Sequence, residues 1–343
     1  MKIKQWIIYL IVLTMATGLF AGCSPKANEN NVDNYPETDL VGYIMWGAGG
    51  GTDNVARALT PLVEKKLGKS IVLQNKVGAT GAIATQYVYD QKPDGYSLLY
   101  GAENPQLYGV MDISKLSYSD FEPIILIGRE TAIVVVGADS KYNTIEELIE
   151  DAKENPNKIN LGTTGPGGLP FVVASLLKTA SQVEFNQIPF DGDGPVITAL
   201  LGNHVDVTVT KLSAAGELLR AGKVKLLASI SNDPIEGFED VPAIGKVLPE
   251  YAKYLPWGPF YGVFVHKETP IEIVEKLQKI YKEAFKEAQY QNFLENAAIT
   301  PMGTSGDEAK EFLENWQQIS SWLLYDSGGA KISPDTLGIE RIK

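Results

Sequence analysis

Short apolar runs rich in β-branched residues alternate with longer stretches of helical spacing through nearly all of the sequence after residue 38. That alternation is the mark of an α/β fold, because period-two runs feed a sheet and period-3.6 runs cover its faces. Residues 40–45, 70–73, 97–100, 124–127 and 132–137 read as strands, and the last of these is expected to cross between lobes. Further strands are expected at 159–161, 205–210 and 224–229, with a return to the first lobe through 257–263. From Asn54 onward Val55, Leu59, Leu62, Val63 and Leu67 recur at helical spacing. Thr144 and Glu147 read as a capping box, and a helix is expected from Pro170, a residue favoured at the first helical position. Thr269, Pro270 and Glu272 combine an N-cap, a proline at N1 and a capping-box acid, and Ser305 opens the last long helix.

The start of the chain is of a different kind. Lys2 and Lys4 precede an apolar run from Trp6 to Phe20, about the length of a signal-peptide core and short for a spanning helix. It ends in Leu19-Phe20-Ala21-Gly22-Cys23, which resembles a bacterial lipobox with Phe20 where Leu is usual. The resemblance implies cleavage of residues 1–22 and lipidation of Cys23. As the only cysteine, Cys23 excludes a disulfide framework and a thiolate metal site, and acylation accounts for a lone thiol in an exported protein. Residues 23–37 are polar and rich in Asn, the composition of a flexible tether. The roughly 306 residues that follow are long for one core and natural for two lobes. The expected division is 38–130 plus 260–343 as lobe 1 and 131–259 as lobe 2.

The net charge is −12, and loss of Lys2 and Lys4 with the leader takes it to −14. Such a balance argues against nucleic acid, which demands a basic surface. An anionic ligand remains compatible with it, because local dipoles can outweigh net charge inside a cleft.

Two glycine-rich loops follow strands and precede helices, one in each expected lobe. The first is Trp46, Gly47, Ala48, Gly49, Gly50, Gly51 and Thr52; the second holds Thr163, Thr164, Gly165, Gly167 and Gly168. A helix N-terminus offers unpaired N–H donors and about half a positive charge, and glycine lets a ligand approach that backbone. Facing each other across a cleft, the two loops would grip a carboxylate without lysine or arginine; as ordinary βα turns they would do nothing of the kind. Asp53 would repel an anion, so its expected role is to interact with the helix N-terminus from the far side, with Thr52 donating inward.

Other chemistries fail on spacing. Gly47-x-Gly49 begins a dinucleotide fingerprint, but Thr52 stands at its third glycine and no acid follows the next strand at Leu73-Gln74-Asn75. His204 and His266 lack partners at metal-site spacing. Asp191-Gly192-Asp193-Gly194-Pro195 hints at a calcium loop, but Gly202 stands where the twelfth-position Glu belongs, so a turn is expected. No acid–base or nucleophile set assembles, and the chain is read as neither an enzyme nor a cofactor protein.

Several motifs then converge. Gly49-Gly50-Gly51-Thr52-Asp53 with Ala56-Arg57 is followed by Gln74-Asn75-Lys76-Val77-Gly78-Ala79-Thr80-Gly81 and by Pro93-Asp94-Gly95-Tyr96-Ser97-Leu98-Leu99. Asp120-Phe121-Glu122-Pro123, Gly202-Asn203-His204-Val205-Asp206 and Trp257-Gly258 complete the order. The sequence resembles the substrate-binding proteins of tripartite tricarboxylate transporters, the TctC or Bug family, from about residue 39 to 326. The resemblance implies a two-lobed, type II-like periplasmic-binding-protein fold with the ligand in a cleft between lobes that close like a hinge. It also implies a small di- or tricarboxylate or related organic acid, held mainly by backbone amides and water and delivered to membrane permease subunits. A monomer, lipid-anchored on the extracytoplasmic face, is expected. A sensor presenting its closed form to a membrane receptor or kinase is the alternative.

The sequence departs from the family pattern at Gly168-Leu169-Pro170, where small polar side chains are usual, at Asp191, where a base is common, and at Thr210-Lys211. Leu169 points to a ligand with an apolar part. Lys211 is expected either to pair with a second ligand carboxylate or to stand solvated at a strand end.

Overall fold

The computed structural model describes residues 34–341, except 236, 237 and 256. The leader, Cys23 and most of the expected tether lie outside the described residues. The chain divides into Met1–Tyr35 and Pro36–Lys343, and both sheets belong to the second unit.

The first sheet has the order β11-β4-β10-β3-β1-β2. Its strands are β1 (Leu40–Ile44), β2 (Ile71–Asn75), β3 (Ser97–Ala102), β4 (Phe121–Arg129), β10 (Phe260–His266) and β11 (Thr300–Thr304). β1 runs parallel to β2 and β3, while β10 and β11 return antiparallel. The second sheet, β7-β6-β8-β5-β9, holds β5 (Ala132–Gly137), β6 (Asn160–Thr163), β7 (Asn186–Pro189), β8 (Val207–Lys211) and β9 (Val224–Ser229). The main helices are α1 (Gly51–Leu67), α2 (Ala82–Tyr89), α3 (Ile145–Glu154), α4 (Leu169–Ser181), α5 (Asp193–Leu201) and α6 (Leu212–Arg220). After the return come α7 (Ile271–Phe285), α8 (Ala288–Asn296) and α9 (Gly306–Asp326).

The chain passes from the first sheet to the second through Glu130 and Thr131 and returns between Ser229 and Phe260. Residues 132–137, expected as the crossing, instead pair on both edges with β8 and β9. The reason is their side chains: Ile133, Val134, Val135 and Val136 are fully buried, and a crossing strand would expose them. The crossing falls on the polar pair just before.

Local signals place helix starts to within a few residues. α1 begins at Gly51 rather than Asn54, and α4 at Leu169, which puts Pro170 one position inside. Pro270 is the N-cap of α7 rather than N1, and the Thr269 hydroxyl is buried without a hydrogen-bond partner. At α3 the Thr144 Oγ1 accepts from Glu147 N at 3.2 Å, while the Glu147 carboxylate accepts from Asn143 N at 2.7 Å. The reciprocal bond thus lands one residue before the cap. β7 and β11, whose sequences lack a clear apolar alternation, were not legible as strands.

A buried chain of hydroxyls fixes the frame behind the first loop. Tyr100 on β3 meets Thr60 of α1 at 3.0 Å and Tyr281 of α7 at 2.7 Å. Burial raises the Tyr100 phenol to about 12 against the lowering effect of these two bonds, so it stays neutral and can donate. The hydroxyls of Thr60, Tyr100 and Tyr281 satisfy one another, so a strand and two helices share an apolar interior at this point.

Candidate functional site

The loop between β1 and α1 presents its backbone to the second lobe. Gly50 is the N-cap of α1 and makes no side-chain cap. The first N–H of the turn with a backbone acceptor is that of Asn54, bonded to Gly50 O at 3.0 Å, so the N–H groups of Gly51, Thr52 and Asp53 have no intrahelical partner. Thr52 Oγ1 is buried and unpartnered as well. Asp53 turns away from this face. Its carboxylate accepts from Gly49 N at 3.1 Å, from Asn75 Nδ2 at 2.8 Å and from Arg57 Nε at 2.9 Å. Burial pushes the Asp53 carboxyl up, but the Arg57, Asn75 and Gly49 bonds outweigh it and hold the group below its usual range. Asp53 therefore braces the loop as an anion.

The 46–52 and 163–168 loops, expected to face each other across a cleft, each make direct contacts with other segments of the opposite lobe. Gly47 N donates to Asp191 O at 3.0 Å, and Gly194 lies so close to Ala48 O that a Cβ there would collide. The first loop therefore meets residues 191–195, the turn into α5. Asp191 and Gly192 lead straight into α5, whose first residues are Asp193, Gly194 and Pro195, and the place of this segment against the 46–52 loop was missed. The loop holding Thr163, Thr164, Gly165, Gly167 and Gly168 meets other parts of the first lobe. Thr80 Oγ1 donates to Pro166 O at 3.0 Å, and Asn104 Nδ2 donates to Gly167 O at 3.0 Å. Gly168 is the N-cap of α4, but Pro170 removes one N–H from that turn, leaving fewer donors than at α1. Leu169 is buried.

Around Gly51 the two lobes bring together a charged cluster that sequence reasoning largely missed. A Cβ on Gly51 would stand 2.7 Å from Ser213 Oγ and 3.1 Å from Lys211 Cε, and in contact with the Tyr261 hydroxyl. Lys211 is not solvated: it is 5% exposed and pairs with Asp193 Oδ2 at 2.6 Å. Burial pushes its ammonium down, but Asp193, Glu103 and Glu130 more than reverse this and hold it above its ordinary range. Glu130, at the crossing, accepts from Ser213 N at 3.0 Å, from Ser213 Oγ at 2.7 Å and from the Tyr261 hydroxyl. Burial nevertheless raises its carboxyl to about 7 against the pull of Lys211 and those bonds. Glu103, at the end of β3, is likewise raised to about 7 by burial, opposed by Lys211 and reinforced by Asp193 and Glu130. Asn54 Nδ2 donates to Ser213 O at 2.9 Å, a further bond from α1 to the second lobe.

A cavity of about 390 Å³ lies at the crossing, lined by Arg129, Glu130, Thr131, Trp257, Gly258 and Trp316 among others. None of the glycine-loop residues lines it. Among the described residues no three His, Cys, Asp or Glu side chains stand close enough to hold a metal ion, and no helix is long and apolar enough to cross a membrane.

Sequence signals for the cluster were weak but present. Glu103 ends an apolar strand, and Arg129-Glu130 interrupts two β-branched runs, so both are charges in apolar company. Asp193 and Lys211 lie in separate elements, and only the fold joins them.

Two α/β lobes, linked by two crossings and meeting over helix N-termini and buried charges, define a solute receptor of the periplasmic-binding-protein class. The family described as the tripartite tricarboxylate transporter family receptor matches residues 55–324, and the chain belongs to it. The chain is 26% identical over 326 residues to protein BugT of Bordetella pertussis, covering 93% of this chain and 98% of that one. The structure of the periplasmic binding protein BugD, 28% identical, superposes with a TM-score of 0.81 over 86% of this chain and 99% of its own. An R. palustris protein solved with adipate shares the fold at 23% identity, with a TM-score of 0.80 over 86% of this chain and 98% of its own.

Proposed function

We propose that this protein captures a small carboxylate between lobes 38–130 plus 260–343 and 131–259 and hands it to the membrane permease subunits of a tripartite tricarboxylate-type transporter. The observation that carries the reading is the uncapped start of α1, where the N–H groups of Gly51 and Thr52 have no intrahelical partner, the Thr52 hydroxyl is buried and unpartnered, and Gly51 abuts Ser213 and Lys211 of the second lobe. Oriented N–H donors at a helix N-terminus stabilise an anion with no basic side chain of their own. The adipate in a protein of the same fold and the family membership support the ligand class. On this reading the chain binds and releases its ligand unchanged, acts as a monomer, and uses no cofactor.

The same proposal places the protein outside the cytoplasmic membrane, held there by a lipid on Cys23. Its support is the sequence of the leader, Leu19-Phe20-Ala21-Gly22-Cys23, and the absence of any other cysteine. Cys23→Ser is expected to move the protein from the membrane fraction to the soluble one. Retention of that variant in the membrane fraction would reject the anchor.

Thermal unfolding of the mature protein against mono-, di- and tricarboxylates tests the ligand class. A bound ligand at about 100 times its Kd adds roughly 2.7 kcal/mol, which raises Tm by roughly 5 to 10 °C for lobes of this size. A flat response to every carboxylate, with protein shown free of co-purified ligand, would remove the proposal.

A further inference from the structure

The cavity of about 390 Å³ at the crossing touches both connections between the lobes: Glu130 and Thr131 on the outward one, Trp257 and Gly258 on the return. A further wall is α9 of the first lobe, through Trp316 and Ile319. Two bonds pin α9 to the return connection. Trp257 Nε1 donates to Ser320 Oγ at 3.0 Å, and Trp316 Nε1 donates to Gly258 O at 3.0 Å. With both indole N–H groups engaged, the rings offer carbon to the space they border. Phe260 stands edge-on to Trp316, with ring centres 5.4 Å apart, and holds that ring in place. The volume and the preformed aromatic wall are those of a small-molecule site.

The charge of the lining has one sign to offer. Among the described residues, Arg129 and Glu130 are its charged members, and the Glu130 carboxylate is taken up by Ser213 and Tyr261. Arg129 is exposed, and among the described residues its guanidinium has neither an ion pair nor a hydrogen-bond partner. The sequence holds four arginines, and the other three each bond a carboxylate: Arg57 to Asp53, Arg220 to Glu217 and Arg341 to Asp326. Strand pairing fixes Arg129 in place, with Phe260 on one side and Thr300 on the other. A guanidinium takes two oxygens of an anion at once in its planar fork. Set beside an aromatic wall, it suits an anion joined to an apolar body.

We propose that this cavity is a second binding site, for a small organic anion whose apolar body is about the size of one aromatic ring system. Arg129 holds the anionic group at the mouth, and the body lies against Trp257, Trp316 and Ile319. Ile319 is 52% exposed, so the body removes apolar surface from water as it binds. The site is separate from the cleft, for no residue of the 46–52 or 163–168 loops lines it, and it does not depend on what the cleft takes.

Coupling to the cleft follows from where the walls come from. They belong to both lobes and to both connections, so a hinge motion changes their spacing. The cavity has its present shape while the lobes are in contact, with Gly47 N on Asp191 O. A molecule that fits it in this arrangement favours this arrangement, and therefore tightens binding in the cleft. By linkage a cleft ligand tightens binding at the hinge to the same degree.

The test is NMR titration of the 15N-labelled mature protein with phenylacetate, indole-3-acetate and hexanoate, and with phenylacetamide as the uncharged match. At least one of the acids should shift the indole N–H signals of Trp257 and Trp316, saturating below about 1 mM. The indole of Trp322, bonded to Ile339 O away from the cavity, should stay in place. Phenylacetamide should bind about tenfold or more weakly than phenylacetate, and Arg129→Ala should weaken the acid about 10- to 100-fold and erase its advantage over the amide. With the hinge saturated, succinate or adipate should bind the cleft about fivefold tighter by calorimetry. Hinge indoles unmoved by every acid, or an amide as tight as its acid, would overturn the proposal. Shifts at the Gly51 and Thr52 amides with the hinge indoles unmoved would overturn it too, by placing the probe in the cleft. An unchanged cleft affinity would reject the coupling. Failure of both dicarboxylates to bind would strike the carboxylate reading instead, and the indole shifts would still decide the hinge site. The wild-type comparison of acid with amide decides even if the Arg129 variant does not fold.

Discussion

At the start of α1 the cleft offers backbone N–H groups from a run of glycines; at Glu103, Asn104 and Glu130 it offers side-chain oxygens. The first end is made by geometry. Its donors are fixed by the helix, carry no titratable group, and work only if the second lobe can pack against bare backbone, as Gly194 does on Ala48. The other end is made by charge. Its acceptors are strong because they are buried, and the same burial raises Glu103 and Glu130 to about 7. Sterics should therefore break one end, and pH or charge the other.

The largest effect is expected on the charged end. Lys211→Met leaves Asp193 buried without its partner and should cost about 3–5 kcal/mol of stability by urea unfolding, with much of the loss recovered when Asp193→Asn is added. No loss in the single variant would mean that the cluster is open to water. The next effect is pH itself. A carboxyl raised in the folded state binds a proton that the unfolded chain has lost, so stability is highest near pH 4.5 and falls as pH rises towards 7. The loss in the ligand-free closed protein is on the order of 3 kcal/mol per group at most. Tm measured from pH 4.5 to 8 should decline, and Glu103→Gln should flatten the slope; a Tm that climbs over this range contradicts the assignment.

On the backbone end, Gly194→Ala puts a Cβ against Ala48 O and should hold the lobes apart. A loss of affinity of about a hundredfold, roughly 2.7 kcal/mol, is expected with little change in Tm of the free protein. Unchanged affinity would show that the 46–52 loop does not need the 191–195 turn. The smallest effect is a control remote from both ends. Tyr281→Phe removes one member of the buried hydroxyl chain and should cost about 1 kcal/mol of stability while leaving ligand affinity as it was.

The contrast between the ends also explains what the sequence let one read. The glycine loop after β1 is contiguous, so its chemistry stands in seven successive letters from Trp46 to Thr52. The alternation of runs likewise gave the two-sheet α/β fold, since periodicity is a local property. The charged end has no local signature. Glu103, Glu130, Asp193 and Lys211 come from a strand end, a crossing, a helix start and another strand end, and only the burial of all four makes them one site. Lys211 shows the difficulty: whether it is solvated or paired depends on Asp193, eighteen positions earlier and brought near by α5 packing beside β8. The 163–168 loop shows a different limit. Its glycines resemble those of the first loop, but its partners, Thr80 and Asn104, could not be chosen from composition.

The account stands most directly on the N-terminus of α1, and the amide resonances of Gly51 and Thr52 report on it. In 15N-labelled protein titrated with the acid that gives the greatest thermal stabilisation, both amides should shift downfield in step with binding, because each gains a charged acceptor. The Gly49 amide, already bonded to Asp53, should move much less. Saturation by a stabilising ligand with Gly51 and Thr52 unmoved would place the carboxylate elsewhere and contradict the account at its centre.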